Sequence, residues 1–309
     1  MTTEKKFITA TNPGNSNSSS SSDSVVRQNV GKIPTYHYVR PLVHGIVGSA
    51  AIFTVAGLVQ IMQHDPKTSS RWSFPPGNIT IDTNIKPAEG SADRPKVGES
   101  NIIEEELLYI LGLNAIILGF WKLRGNSTRR FMETWFQNQV LPRPRPLTLL
   151  TASFSHQYFL VHFFPNMALA LATYGSVKRI SSGHEMAAVY LSAGVMGFAA
   201  SHVTRLVYYR YFMQKLTPSL GASGSVVGIM AVAYSNFDGE THRKLTRVDR
   251  EALLATLIID VIGLFMRWSV ADHAAHLGGA AVGFYYANYG RQYVWNPLIT
   301  TLQKARDSL

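Results

Sequence analysis

Apolar runs separated by short polar connections begin at Leu42 and continue nearly to the C-terminus. A helix that crosses a bilayer needs about 20 mostly apolar residues. Leu42–Met62 meets that length, and Leu107–Trp121 approaches it by borrowing Ile102–Glu106 as an interfacial start. Leu147–Tyr174 is long and holds Ser155, His156, His162 and Asn166 within it. Met186–Tyr208, Ser223–Tyr234, Leu253–Trp268 and His273–Tyr289 complete a set that predicts an all-α, polytopic membrane protein. Ser223–Tyr234 is short for a full crossing. That is tolerable if its start lines a water-filled cavity.

The pattern also divides the chain. Residues 1–35 are Ser/Asn-rich with no apolar face to bury and are expected to be disordered. Residues 36–63 form a lone first helix, and 64–101 read as an exposed loop carrying Pro66, Pro75, Pro76, Pro87 and Pro95. A helical core is expected over 102–290 and a tail over 291–309. No apolar stretch near Met1 marks a cleaved secretory signal. The segment is Ser-rich like a mitochondrial presequence but carries Glu4, Asp23 and only Arg27 before Arg40, which leaves targeting open.

Composition strengthens the membrane reading. Only 16% of residues are charged, against about 25% in soluble domains. There is no cysteine, so neither a disulfide framework nor a thiolate metal site is available. The net charge of +10 admits nucleic acid as a partner. Basic residues between apolar spans speak instead for membrane topology. Lys122, Arg124, Arg129, Arg130, Arg143 and Arg145 face Glu133 alone in one connection.

Two of the apolar stretches carry chemistry. Gly221-Ala222-Ser223-Gly224 opens one, and Ala275-His276-Leu277-Gly278-Gly279 lies in another. Gly224 and Gly228 are four apart on the first, Gly279 and Gly283 on the second. Small residues at that spacing let two helix backbones approach closely in lipid. Close approach is what a short-armed Ser223 and an imidazole at 276 need in order to act as nucleophile and general base. His273 competes for the role of base. His276 is favoured because glycines follow it at i+3 and i+7, on its own face. His162 and Asn166, one turn apart, offer side-chain donors for an oxyanion. They serve equally as interhelical glue. Asp272, His273 and His276 invite comparison with a metal site, but no His-Glu-x-x-His run is present.

Gly-x-Ser-Gly alone is a weak signal. The ordered conjunction of His-x-x-x-Asn, Gly-x-Ser-Gly and Ala-His-x-x-Gly-x-x-x-Gly, each at a span, is similar to the rhomboid family of intramembrane serine proteases. Tyr190–Gly194, Pro218–Gly224 and Asp272–Gly279 resemble its mitochondrial inner-membrane branch. The resemblance runs from about Tyr38 to the C-terminus. It implies a six-helix core preceded by one extra helix, placed in the mitochondrial inner membrane. It further implies a Ser223–His276 dyad with no acidic third member and oxyanion donors at His162 and Asn166. Gly221 would shape the loop before Ser223, and Gly279 and Gly283 would pack the His helix onto the Ser helix. Neither metal nor organic cofactor is implied. The expected partners are membrane lipid and single-pass transmembrane substrates, with nucleic acid excluded and the oligomeric state open.

Two departures from the family pattern stand out. His156 and His162 are six apart where the family spaces the pair by five. Either a local bulge or a changed role would account for that, and His156 is left out of the site. Val227 stands where bacterial members carry a tyrosine that stacks on the imidazole, so His276 must be oriented by other packing. A catalytically silent scaffold or chaperone for transmembrane clients is the alternative function. A transporter would require more intramembrane charge than Asp260 supplies.

Overall fold

A computed structural model of the chain describes residues 33–63, 105–141, 144–177, 182–235 and 245–308. The expected disordered segment, except its last three residues, and the expected loop at 64–101 lie outside the described residues. Among the described residues the fold is helical, without strands.

The first helix, α1 (Tyr36–Gln63), has a mean hydropathy of 2.0 over its most apolar window and buries only a narrow stripe. Pro41, Gly45, Phe53, Gly57 and Ile61 recur at multiples of four residues and form the contact line. Ile46, Val47 and Val55 point outward, as a lipid-facing surface requires. α2 (Glu105–Lys122) opens on Glu105 and Glu106 and closes on Lys122, charges that complement the helix dipole. The basic connection after it contains an amphipathic helix, α3 (Asn126–Trp135), that the apolar pattern did not predict.

The continuous span expected over Leu147–Tyr174 does not form. α4 (Thr148–Thr151) runs into a tight 3₁₀ turn at Ala152–Phe154, and Ser155 and Tyr158 are extended. A π turn at Phe159–Phe163 then leads into α5 (Phe164–Val177). Several polar interactions hold the break open. Trp121 Nε1 donates to Ser155 Oγ at 2.8 Å, Lys122 Nζ donates to Gln157 O at 2.8 Å, and His156 accepts from a backbone N–H at 3.3 Å. Pro165 has no N–H to return to Val161, so the helix there closes with a wider ring, Phe163 N–H to Tyr158 O at 2.9 Å.

α6 (Gly183–Phe212) is the central post, buried along most of its length. A capping box of Ser182 and Glu185 starts it, and Met213 in the left-handed conformation ends it. α7 (Ser223–Ser235) is buried at every residue from Gly224 to Ala233, so it is an inner helix. α8 (Leu245–Met266) turns Ile258, Ile259, Ile262 and Phe265 outward and buries Asp260. α9 (His273–Tyr285) is capped by Asp272, whose carboxylate accepts from Ala275 N–H at 3.2 Å. The expected tail is helical: a π segment at Tyr286–Trp295 passes into α10 (Asn296–Asp307). Leu298, Ile299 and Leu302 of α10 rest against Gly57 of α1.

These contacts fix which ends of the helices lie together. Gly45 of α1 meets Met196 and Ala199, whereas Gln60 near its end accepts from Ser182 Oγ at 2.8 Å. α1 and α6 are therefore antiparallel. α7 and α9 run parallel, since Gly224 meets Ala275 and Gly228 meets Gly279. α1 and α6 have the length and apolarity to cross a bilayer, and Phe159–Tyr174 and Ser223–Ser235 are shorter apolar helices.

Candidate active site

The close approach expected from the glycines is observed, and it is a contact of backbone on backbone. A Cβ on Gly279 would overlap the Gly224 carbonyl, and one on Gly283 would overlap that of Gly228. A Cβ on Gly224 would lie 3.0 Å from the Ala275 carbonyl oxygen. Gly224 follows Ser223 and Ala275 precedes His276, so this contact brings the two candidate positions together. Ser223 is the first residue of α7, half-buried, with Ala222 O accepting the first helical bond from Val226 at 3.0 Å. The backbone N–H groups opening that helix have no partner within it. Among the described residues no hydrogen bond joins Ser223 to His276. Such bonds often tighten only when substrate binds.

His276 is not held by small-residue packing alone. Its Nδ1 lies 3.0 Å from both carboxylate oxygens of Asp260, which is only 2% exposed. A carboxylate that the expected dyad did not include therefore lies against the candidate base. His273 reaches the same carboxylate through its own Nδ1 at 2.7 Å. A carboxylate only accepts, so the arrangement suits an Nδ1–H on each imidazole, and a neutral His276 in that tautomer has its lone pair on Nε2. That nitrogen faces away from Asp260 and is available as a base.

Asp272 takes a separate path. It accepts from Ser201 Oγ at 2.6 Å and from Arg205 at 3.1 Å, besides capping α9. Arg205 also donates to Thr217 O and Oγ1, at 2.8 and 2.7 Å. The loop before Ser223 is thereby tied to the helix that carries His276.

On the other side, Gly221 adopts φ +133°, a conformation that glycine alone takes easily. The His162 ring occupies the space a Cβ at Gly221 would need. His156, set aside because of its spacing, belongs here as well. Its Nε2 accepts from Ala222 N–H at 3.3 Å, and its ring lies edge-on to His162 with centroids 4.7 Å apart. The π turn absorbs the extra residue. Asn166 gives one amide hydrogen to its own helix, at His162 O (2.7 Å), leaving one donor uncommitted.

The Rhomboid domain family matches residues 143–293. The presenilin-associated rhomboid-like protein A, mitochondrial, of Danio rerio is 31% identical over 206 residues, covering 64% of this chain and 52% of that protein. Its Homo sapiens counterpart is 30% identical over 205 residues, with the same coverage. Rhomboid protein 1, mitochondrial, of Saccharomyces cerevisiae is 29% identical over 195 residues, 60% of this chain and 53% of that protein. The chain thus spans about half the length of the curated relatives it matches. No solved structure matches it. The apolar helices and these homologues together make it an integral membrane protein of the mitochondrion. Residues 143–293 are thus matched by the Rhomboid domain family, and the chain is similar in sequence to the mitochondrial presenilin-associated rhomboid-like proteins and to the yeast mitochondrial rhomboid.

Proposed function

We propose that the chain is an intramembrane serine protease of the mitochondrial inner membrane that cuts single-pass transmembrane proteins. The observation that carries the proposal is His276, held through Nδ1 by buried Asp260 on a helix whose backbone touches the one that Ser223 opens. In this reading Nε2 of His276 takes the proton of Ser223 Oγ as the oxygen attacks the scissile carbonyl. Asp260 fixes the tautomer of the neutral imidazole beforehand and stabilises the imidazolium that then forms. The oxyanion meets N–H groups at the start of α7, together with His162 and the free amide hydrogen of Asn166. His276 then protonates the leaving amine, and water resolves the acyl-enzyme.

Irregular backbone at membrane depth is tolerated where it lines a polar cavity. The extended stretch from Ser155 to Tyr158, close to the loop before Ser223, suits such a water route. Peptide bonds within a helix are shielded by their own turn, so substrates with helix-breaking residues near the cut are favoured.

The test is covalent labelling of the full chain in detergent with a fluorophosphonate-type probe, beside cleavage of a single-pass reporter. The wild type labels and cuts, and Ser223→Ala does neither while remaining folded. Cleavage by Ser223→Ala at near the wild-type rate overturns the proposal. A wild type that binds reporters without labelling or cutting supports a silent scaffold instead.

A further inference from the structure

Asp260 accepts from two imidazoles, and the two interactions are unequal. His273 Nδ1 lies 2.7 Å from Oδ1, while His276 Nδ1 is shared at 3.0 Å between Oδ1 and Oδ2. The shorter bond to a single oxygen is the stronger and more directional one. The forked contact, at 3.0 Å to each oxygen, is the longer and weaker of the two. The rotation of Asp260 is therefore set by His273 more than by His276.

The surroundings of His273 agree with this. The residue is 4% exposed, with its ring tilted against Trp268 at a centroid distance of 6.2 Å. Gly263 of α8 leaves the room the ring occupies, and a Cβ there would overlap it. The remaining nitrogen, Nε2, is buried without a partner among the described residues. A buried polar atom left unpaired is a cost that an apolar side chain of similar shape would avoid. The Nδ1–H donated to Asp260 offsets it.

We infer that His273 is a positioning residue for the proposed base. It holds Oδ1 of Asp260 so that the carboxylate keeps His276 in the Nδ1–H tautomer with Nε2 free. The inference rests on the reading of His276 as the base, so its test includes a readout independent of cleavage.

Asparagine places a side-chain N–H close to where Nδ1–H of histidine lies, whereas alanine and phenylalanine supply none. The full-length protein carrying ¹⁵N-labelled histidine is compared as wild type, His273→Asn, His273→Ala and His273→Phe, with His276→Gln used to assign the His276 signal. In the wild type and His273→Asn, His276 shows one Nδ1–H tautomer. In His273→Ala and His273→Phe it shows a mixture. Phenylalanine fills the pocket and covers the case in which alanine fails to fold. In reporter cleavage, His273→Ala and His273→Phe lose about 10- to 100-fold in kcat with KM unchanged, by analogy with the loss on removing an outer partner of a metal-bound imidazole. His273→Asn recovers most of that loss. Identical tautomers and rates in all four proteins, or an asparagine variant as impaired as alanine, overturn the inference. If the wild type neither labels nor cuts, the protease reading fails and the tautomer comparison still decides the role of His273.

Discussion

At the scale of single residues, Asp260 carries the sharpest expectation. Asparagine at 260 can present N–H instead of oxygen to Nδ1 of His276 and so favours the wrong tautomer. Asp260→Asn should lower kcat by about 10²–10⁴ with little change in KM. Steady-state cleavage and the rate of probe labelling at Ser223 check this, and wild-type rates would reduce Asp260 to a structural carboxylate. Removal of one oxyanion donor commonly costs about 10²–10³ in turnover. His162→Ala and Asn166→Ala should each slow cleavage while Ser223 still labels; full activity in both would make them helix glue. The approach of the helices that carry Ser223 and His276 is legible in the sequence because close helix packing leaves a trace in the small residues around them. Asp260 was visible only as a lone carboxylate in an apolar run, itself a functional signal. It lies 16 residues before His276 on another helix, and no local spacing links the two. His156 stands six residues before His162 where the family has five, and of the two explanations open to sequence, a local bulge or a changed role, the π turn at Phe159–Phe163 fits the bulge.

Whole elements show where apolar pattern suffices and where it fails. The boundaries of α1, α2, α6, α7 and α9 lie near the predicted apolar runs, since lipid demands apolar surface over a fixed length. The break at Ser155–Tyr158 was hidden, because it depends on partners from Trp121, Lys122 and Ala222, distant in sequence. α3 and α10 lie outside the apolar runs and left no signal in them. The α7–α9 contact gives a paired test. Gly279→Ala forces a methyl into the Gly224 carbonyl and should destabilise the fold by about 1–3 kcal/mol. Gly112→Ala on α2 meets nothing within 4 Å and should be neutral or stabilising by up to about 1 kcal/mol. Thermal unfolding in one detergent compares them, and equal shifts would dismiss backbone contact as the reason for glycine at 279. Arg205→Met cuts the tie between Thr217 and Asp272 and leaves that carboxylate without its cation. A loss of about 2 kcal/mol is expected, with slower cleavage as the Ser223 loop loosens; an unchanged melting temperature would count against the tie.

Across the whole molecule the charges separate by face. The end of the bundle that holds Ser223 and His273 also holds the start of α1, the α2–α3 connection and the ends of α6 and α8. Its described charges are Arg40, Lys122, Arg124, Arg129, Arg130, Arg145, Arg205, Arg210, Lys215 and Arg267, against Glu133 and Asp272. The opposite end mixes signs, with Glu105, Glu106, Glu185, Glu251 and Asp307 beside Arg250, Arg291, Lys304 and Arg306. Positive charge near span ends marks the side that stays behind during insertion. Sequence alone gave this bias only in the first connections, because residues that share a face are scattered along the chain and gather only once the helices pack. The expectation is that the basic face, and with it the opening toward Ser223, lies in the matrix. Seven crossings then put α10 on the intermembrane-space side. The lack of cysteine makes the test clean, since one introduced thiol is the only thiol in the chain. Ser127 and Ser308 are both exposed, one on each face. With a membrane-impermeant maleimide on mitoplasts, Ser308→Cys should label directly. Ser127→Cys should label only after the inner membrane is permeabilised. Both labelling in intact mitoplasts would exclude an odd number of crossings, and the reverse order would place the site on the intermembrane-space side.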